Sequence, residues 1–145
     1  MLQITFPQHN FRIKKEKAKH AIFDEVRRLW VTLTPEEWVR QNFLQYLIQV
    51  KNYPPSLISV EKIIKVGELK KRYDIVVYHN NNPWMIVECK ENNIPINTAV
   101  IEQVIRYNMT LSISYFVVTN GIESFGYEIF GNSFKELNDL PVLPL

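Results

Sequence analysis

The sequence is poor in the residues that build most recognisable sites. Its 145 residues include one cysteine, three histidines and four glycines. A lone Cys89 cannot close an intramolecular disulfide, which points to a reducing, cytoplasmic setting. His9, His20 and His79 lie far apart with no second ligand at zinc spacing. No Gly-rich Walker loop, Rossmann fingerprint or Gly-x-Ser-x-Gly elbow is present, which excludes P-loop nucleotide hydrolysis and serine-hydrolase chemistry in these residues. No apolar run approaches the roughly 18 residues of a membrane span, and the first residues lack the order of a signal peptide.

Nor does either sign of charge dominate, because 17 Lys and Arg against 15 Asp and Glu leave a formal charge of +2. The sum hides an uneven distribution. Arg12 to Arg28 holds seven basic residues and three acids, and Glu61 to Arg72 holds five basic residues and two acids. Phosphate binding depends on local cation density, so a basic face is compatible with this total. The length suits one domain with one core, 1–145, with its centre at about 34–131 and a basic N-terminal segment at 1–33.

The clearest element starts at Thr34-Pro35-Glu36-Glu37: an N-cap threonine, proline at the first helical position and Glu37 at the capping-box position. Val39, Phe43, Leu47 and Val50 continue at helical spacing, so a helix is expected from about Pro35 to about Lys51. Strands are expected at Ser59–Val66, Arg72–Tyr78 and Trp84–Val87, the last two joined by a loop of about five residues around Asn80-Asn81-Asn82. Asn97 or Thr98 caps a second helix through Val100, Val104, Tyr107 and Leu111. Further strands are expected at Tyr115–Val118 and Phe125–Phe130, with an irregular tail after Lys135. Lys15 to Leu29 reads as a basic helix, and Ala21-Ile22-Phe23 and Leu29-Trp30-Val31 read equally as short strands. The order implies an α/β or α+β fold with a mixed sheet.

Charge is misplaced in two of these strands. Asp74 opens Ile75-Val76-Val77, and Glu88 and Lys90 close Trp84-Met85-Ile86-Val87. Alternation puts Glu88 and Lys90 on one face and Cys89, read as a core residue, on the other. Charges at buried strand ends cost several kcal/mol unless paired or bound to an ion. Asp74, Glu88 and the Cys89 carbonyl could hold Mg²⁺, with Lys90 placed to act on water or phosphate; an internal ion pair of Lys90 with Asp74 or Glu88 is the structural alternative.

Together with Thr34–Gln41, Arg72–Tyr78 and Gln103–Asn108, these residues resemble the PD-(D/E)xK nuclease superfamily. The nearer resemblance is to the nuclease domain of the R (restriction) subunit of type I restriction enzymes. It spans roughly Thr34 to Gly121. It implies a restriction-endonuclease-like core, a mixed sheet flanked by helices, and Mg²⁺-dependent (or Mn²⁺-dependent) phosphodiester hydrolysis of DNA by Asp74, Glu88 and Lys90. Tyr73 stands where the superfamily's name has proline. An acid from the first helix joins the metal ligands, here Glu36, three residues before Val39 on the expected inward face, with Glu37 as the alternative. Gln103 and Tyr107 match the family's Gln-x-x-x-Tyr pair, which positions the site or the strand. A full restriction subunit carries a helicase motor, so DNA and a separate motor or specificity subunit are the implied partners, with a homodimer also open. A catalytically silent nuclease-fold module for DNA binding or protein docking is the alternative function.

Overall fold

The computed structural model describes residues 1–66, 68–107 and 112–144, the side chains of Val66, Leu69 and Tyr107 apart. A three-stranded antiparallel sheet, β1 (Ile13–Glu16), β2 (Lys19–Asp24) and β3 (Leu29–Thr32), precedes helix α1 (Pro35–Gln45). Of the two readings for 15–31, strands are what forms. β2 explains why: its Ile22 and Asp24 are fully buried, two residues apart on one strand face.

The Thr34 hydroxyl accepts the Glu37 N–H at 3.0 Å, and Pro35 occupies the first turn, as the sequence requires. A π-helical turn, Tyr46–Val50, extends the helix almost to the expected end. Thr34→Ala should lower stability by about 1 kcal/mol, checked by urea denaturation.

The main sheet comprises β4 (Ile58–Val66), β5 (Leu69–His79), β6 (Asn82–Cys89), β7 (Tyr115–Thr119), β8 (Ser124–Phe130) and β9 (Ser133–Leu137), side by side in chain order. All neighbours are antiparallel except β6 and β7, which run parallel because helix α2 (Thr98–Tyr107) makes the crossover. This is the mixed α+β sheet expected. β9 falls partly in the segment read as irregular tail; it is an edge strand with few apolar residues. The β5–β6 connection is also tighter than expected. His79 pairs with Asn82, leaving Asn80 and Asn81 as a two-residue turn, both with φ above +50°, a conformation asparagine tolerates. The expected continuation of α2 to Leu111 lies outside the described residues.

Two apolar layers sandwich the sheet. On one side Val39, Phe43 and Leu44 of α1, with Leu47 of the π-helical turn, pack on Ile75, Val77, Met85, Val87 and Cys89. On the other, Ile101 and Ile105 of α2 pack on Tyr73, Val76, Ile86 and Phe116. The layers exchange strand residues near Asp74: Ile75 and Val77 face α1, whereas Tyr73 joins the α2 side. The β4–β5 register passes from Val60–Ile75 to Lys62–Tyr73 and skips Glu61, which has φ +53°, and Asp74, so the strand pair changes face there. The β5–β6 ladder stops at Ile75–Val87, which opens a fork between Asp74 and Glu88.

Candidate active site

The fork holds the three residues at the centre of the sequence reading. Asp74 Oδ2 accepts the Cys89 N–H at 2.8 Å, so the carboxylate is pinned across the gap between β5 and β6. Its Oδ1 accepts from Arg40 Nη2 at 2.9 Å. Glu88 lies beside it. Burial first, then the Asp74 charge, push the Glu88 pKa up to about 7, against the opposing pull of Lys71 and Lys90. Glu88 Oε1 is buried without a hydrogen-bond partner among the described residues.

Lys90 is on the same side of β6 as Glu88, as the strand period demands. Its backbone N–H donates to Thr119 O at 2.8 Å, and its side chain is exposed. Glu88, Lys90 and Lys71 line a cleft of about 160 Å³ against Val100, Ile101 and Val104 of α2. Among the described residues no ion pair joins Lys90 to Asp74 or Glu88; the cation that Asp74 holds is Arg40. The loop after Lys90 is tied down by asparagines: the Asn92 amide donates to Asn120 O at 2.6 Å, and the Asn120 amide donates to Ile94 O at 2.9 Å.

Cys89 points to the opposite side, into the α1 layer, and is 2% exposed. Burial first and the Asp74 charge next raise its thiol pKa well above the ordinary value, which suits a core cysteine and not a nucleophile.

The helix acids are arranged differently from expectation. Glu36 is 48% exposed and approaches Arg40 Nη2 only at 3.7 Å, whereas the Glu37 side chain is 8% exposed and accepts from Arg40 Nη1 at 2.8 Å. The inward acid of α1 is therefore Glu37. The capping box is only half formed: Thr34 takes the Glu37 N–H, but the Glu37 carboxylate turns to Arg40, Arg27 and Gln41. Glu36 is still close enough to the fork for its charge to reach Cys89. Among the described residues no three His, Cys, Asp or Glu side chains form a metal cluster, so Asp74 and Glu88 stand as a pair without Glu36.

What the sequence did not display is the network behind Asp74. Arg40 is buried and joins Glu37, Asp74 and, at 3.5 Å, Glu61; burial opposes its charge, but the three acids outweigh it and raise its pKa. Arg27 repeats the pattern between Asp24 (2.8 Å), Glu37 (3.3 Å) and Glu61 (3.2 Å). The Arg40–Asp74 link spans 34 residues, so no local pattern marks it. Gln103 is exposed on α2, one helical turn from Val100 at the cleft edge. Tyr107 follows it at i+4 in the same helix, and its side chain lies outside the described residues.

Two carboxylates suffice for Mg²⁺, which commonly takes one or two and completes its shell with water and phosphate oxygens. The unpartnered Glu88 oxygen fits that demand, and its raised pKa gives a readable consequence. A carboxyl whose pKa is higher in the folded state binds protons more tightly there, so stability falls as the pH climbs through the window from about 4.5 to about 7. Without divalent metal the loss should be of order 1–3 kcal/mol. Mg²⁺, which needs the ionised form, should remove it, and Glu88→Gln should flatten the profile. Urea midpoints between pH 4.5 and 8, with and without Mg²⁺, check all three.

No helix among the described residues is long and apolar enough to cross a membrane. Among protein families, the model described as "Type I restriction enzyme R protein N terminus" matches residues 35–141, from the start of α1 to just beyond β9. No curated protein matches the chain.

Proposed function

The chain belongs to the type I restriction enzyme R protein N-terminus family, and from that membership and the geometry of the fork we propose a metal-dependent DNA nuclease domain of the PD-(D/E)xK type. The observation that carries this reading is the buried Glu88 oxygen without a partner, beside Asp74 and on the Lys90 side of β6. An apolar strand end does not retain such an atom cheaply unless a ligand satisfies it.

Asp74 and Glu88 would hold Mg²⁺ or Mn²⁺, and the ion supplies a polarised phosphate and a water of lowered pKa. The protein's own groups do the rest. Arg40 and the Cys89 N–H fix the direction of the Asp74 carboxylate. Lys71 and Lys90 favour loss of the Glu88 proton. Lys90, exposed at the cleft, stabilises charge developing on the phosphate or orients the attacking water, as that water's oxygen bonds phosphorus and the ester oxygen departs. Gln103, at the rim, positions the strand, with Tyr107 one turn on.

A specific observation favours the competing reading, a silent nuclease-fold module that docks DNA or protein: Arg40 already neutralises Asp74. Incubation of supercoiled, linear and single-stranded DNA with Mg²⁺ or Mn²⁺ separates the two. Metal-dependent cleavage lost in Asp74→Asn and Lys90→Ala supports the nuclease; bound metal without cleavage supports the docking module. DNA, and a separate subunit carrying the motor or specificity function, are the partners this reading implies.

A further inference from the structure

We propose that the β4–β5 ribbon beyond Glu61 and Asp74 is a DNA-binding arm, which holds the phosphates of a duplex alongside the Asp74–Glu88 pair. Its choice of polyanion rests on the nuclease reading; its placement rests on the strands. The β5–β6 ladder ends at Ile75–Val87, but β4 and β5 continue to pair with each other through Lys62–Tyr73, Ile63–Arg72, Ile64–Lys71 and Lys65–Lys70. Past the fork, no third strand supports this ribbon among the described residues. A two-stranded ribbon is marginal by itself in water; with Val66–Leu69 as its fifth pair this one runs roughly 15 Å past the fork, only Tyr73 and Ile64 among the described residues of its inner face packing on the α2 layer.

Its charge is arranged against folding in isolation. Lys65 and Lys70 are direct cross-strand partners, and like charges so placed repel. Lys62, Lys65, Lys70 and Arg72 have no ion pair among the described residues, and Glu61 at the base is already shared by Arg27 and Arg40. Ile63, opposite Arg72, is 55% exposed. A solvated surface strand has no use for an unbalanced cation ladder, whereas a polyanion neutralises it.

The position matches the task. Lys71, on the face shared with Tyr73, lies over that ring at 5.0 Å and reaches into the cleft with Glu88 and Lys90. By strand alternation Lys62 and Lys71 share the α2-side face with Glu88 and Lys90, whereas Lys65, Lys70 and Arg72 line the other face, so the ribbon carries cations on both faces past the fork. The major groove of B-DNA admits a two-stranded β-ribbon, so the arm can enter the groove or follow its edge.

The test is binding of a short DNA duplex to the full chain in EDTA, by fluorescence anisotropy over a salt series. Combined Lys65→Gln, Lys70→Gln and Arg72→Gln should make the slope of log K against log salt shallower by about 2–3 and weaken binding at least tenfold at low salt. The same charge removed from the N-terminal sheet, by Lys14→Gln, Lys15→Gln and Lys17→Gln, should leave the slope within about one of the wild type. Lys65→Glu alone should weaken binding while leaving the melting temperature equal or higher, because it replaces the repulsion with Lys70 by attraction. A triple ribbon variant that binds like the wild type, an equal loss in the control, or no binding by the wild type would overturn the arm. Because metal is absent, failure to cleave DNA leaves this result untouched, and unaltered ribbon-variant binding beside intact cleavage overturns the arm alone.

Discussion

Arg40→Met should lower the unfolding free energy by about 3–5 kcal/mol, the range expected when one partner of a buried ion pair is removed and the other stays. Methionine keeps much of the volume and the apolar stem, so the loss isolates charge. The reason for a value at the high end is that Arg40 serves several acids. Glu37 at 2.8 Å retains Arg27, but Asp74 at 2.9 Å has no other cation within 4 Å among the described residues. Urea denaturation at pH 7 measures the loss, and a deficit under about 1 kcal/mol would mean that these buried pairs are worth no more than exposed ones.

Asp74→Asn and Lys90→Ala should each reduce DNA cleavage by about 10²–10⁴-fold, but with different signatures. Asparagine can still accept the Cys89 N–H, so the fork keeps its geometry while the charge that holds the ion disappears. Metal affinity and rate should fall together. Lys90 touches neither acid, and its exposed side chain bears no structural load. Its removal should leave stability nearly unchanged and reduce the rate even at saturating metal. A Lys90→Ala protein that cleaves normally would remove the lysine from the mechanism, whatever Asp74 does.

How far these side chains could be read from the chain depends on the range of the interactions that place them. Thr34-Pro35 starts α1, the apolar run Trp84–Val87 sits in the middle of the sheet, and Asn97 caps α2 through its Oδ1, all as local chemistry dictates. The pairing of Asp74 with Glu88 follows from two strands joined by a short turn. Glu36 and Glu37 could not be separated so easily, because the capping position gives Glu37 a local use that competes with its inward one. The decision comes from Arg27 and Gln41, ten and four residues away, which draw the Glu37 carboxylate inward. The N-terminal strands were ambiguous for a related reason: β1 is exposed at every position, so no burial pattern marks it. β2 acquires its pattern only when Asp24 meets Gln41 of α1. The arm beyond the fork was legible as a cluster of lysines but not as a ribbon, since its isolation depends on where the β6 ladder stops.

If Asp74 and Glu88 form a divalent-metal site that cleaves DNA with the help of Lys90, nicking of supercoiled plasmid over a Mg²⁺ titration should be saturable and Mg²⁺-dependent with the wild type. The Asp74→Asn protein, run side by side, should lose at least 100-fold. Nicking that persists in EDTA, or that Asp74→Asn leaves intact, would contradict this assignment.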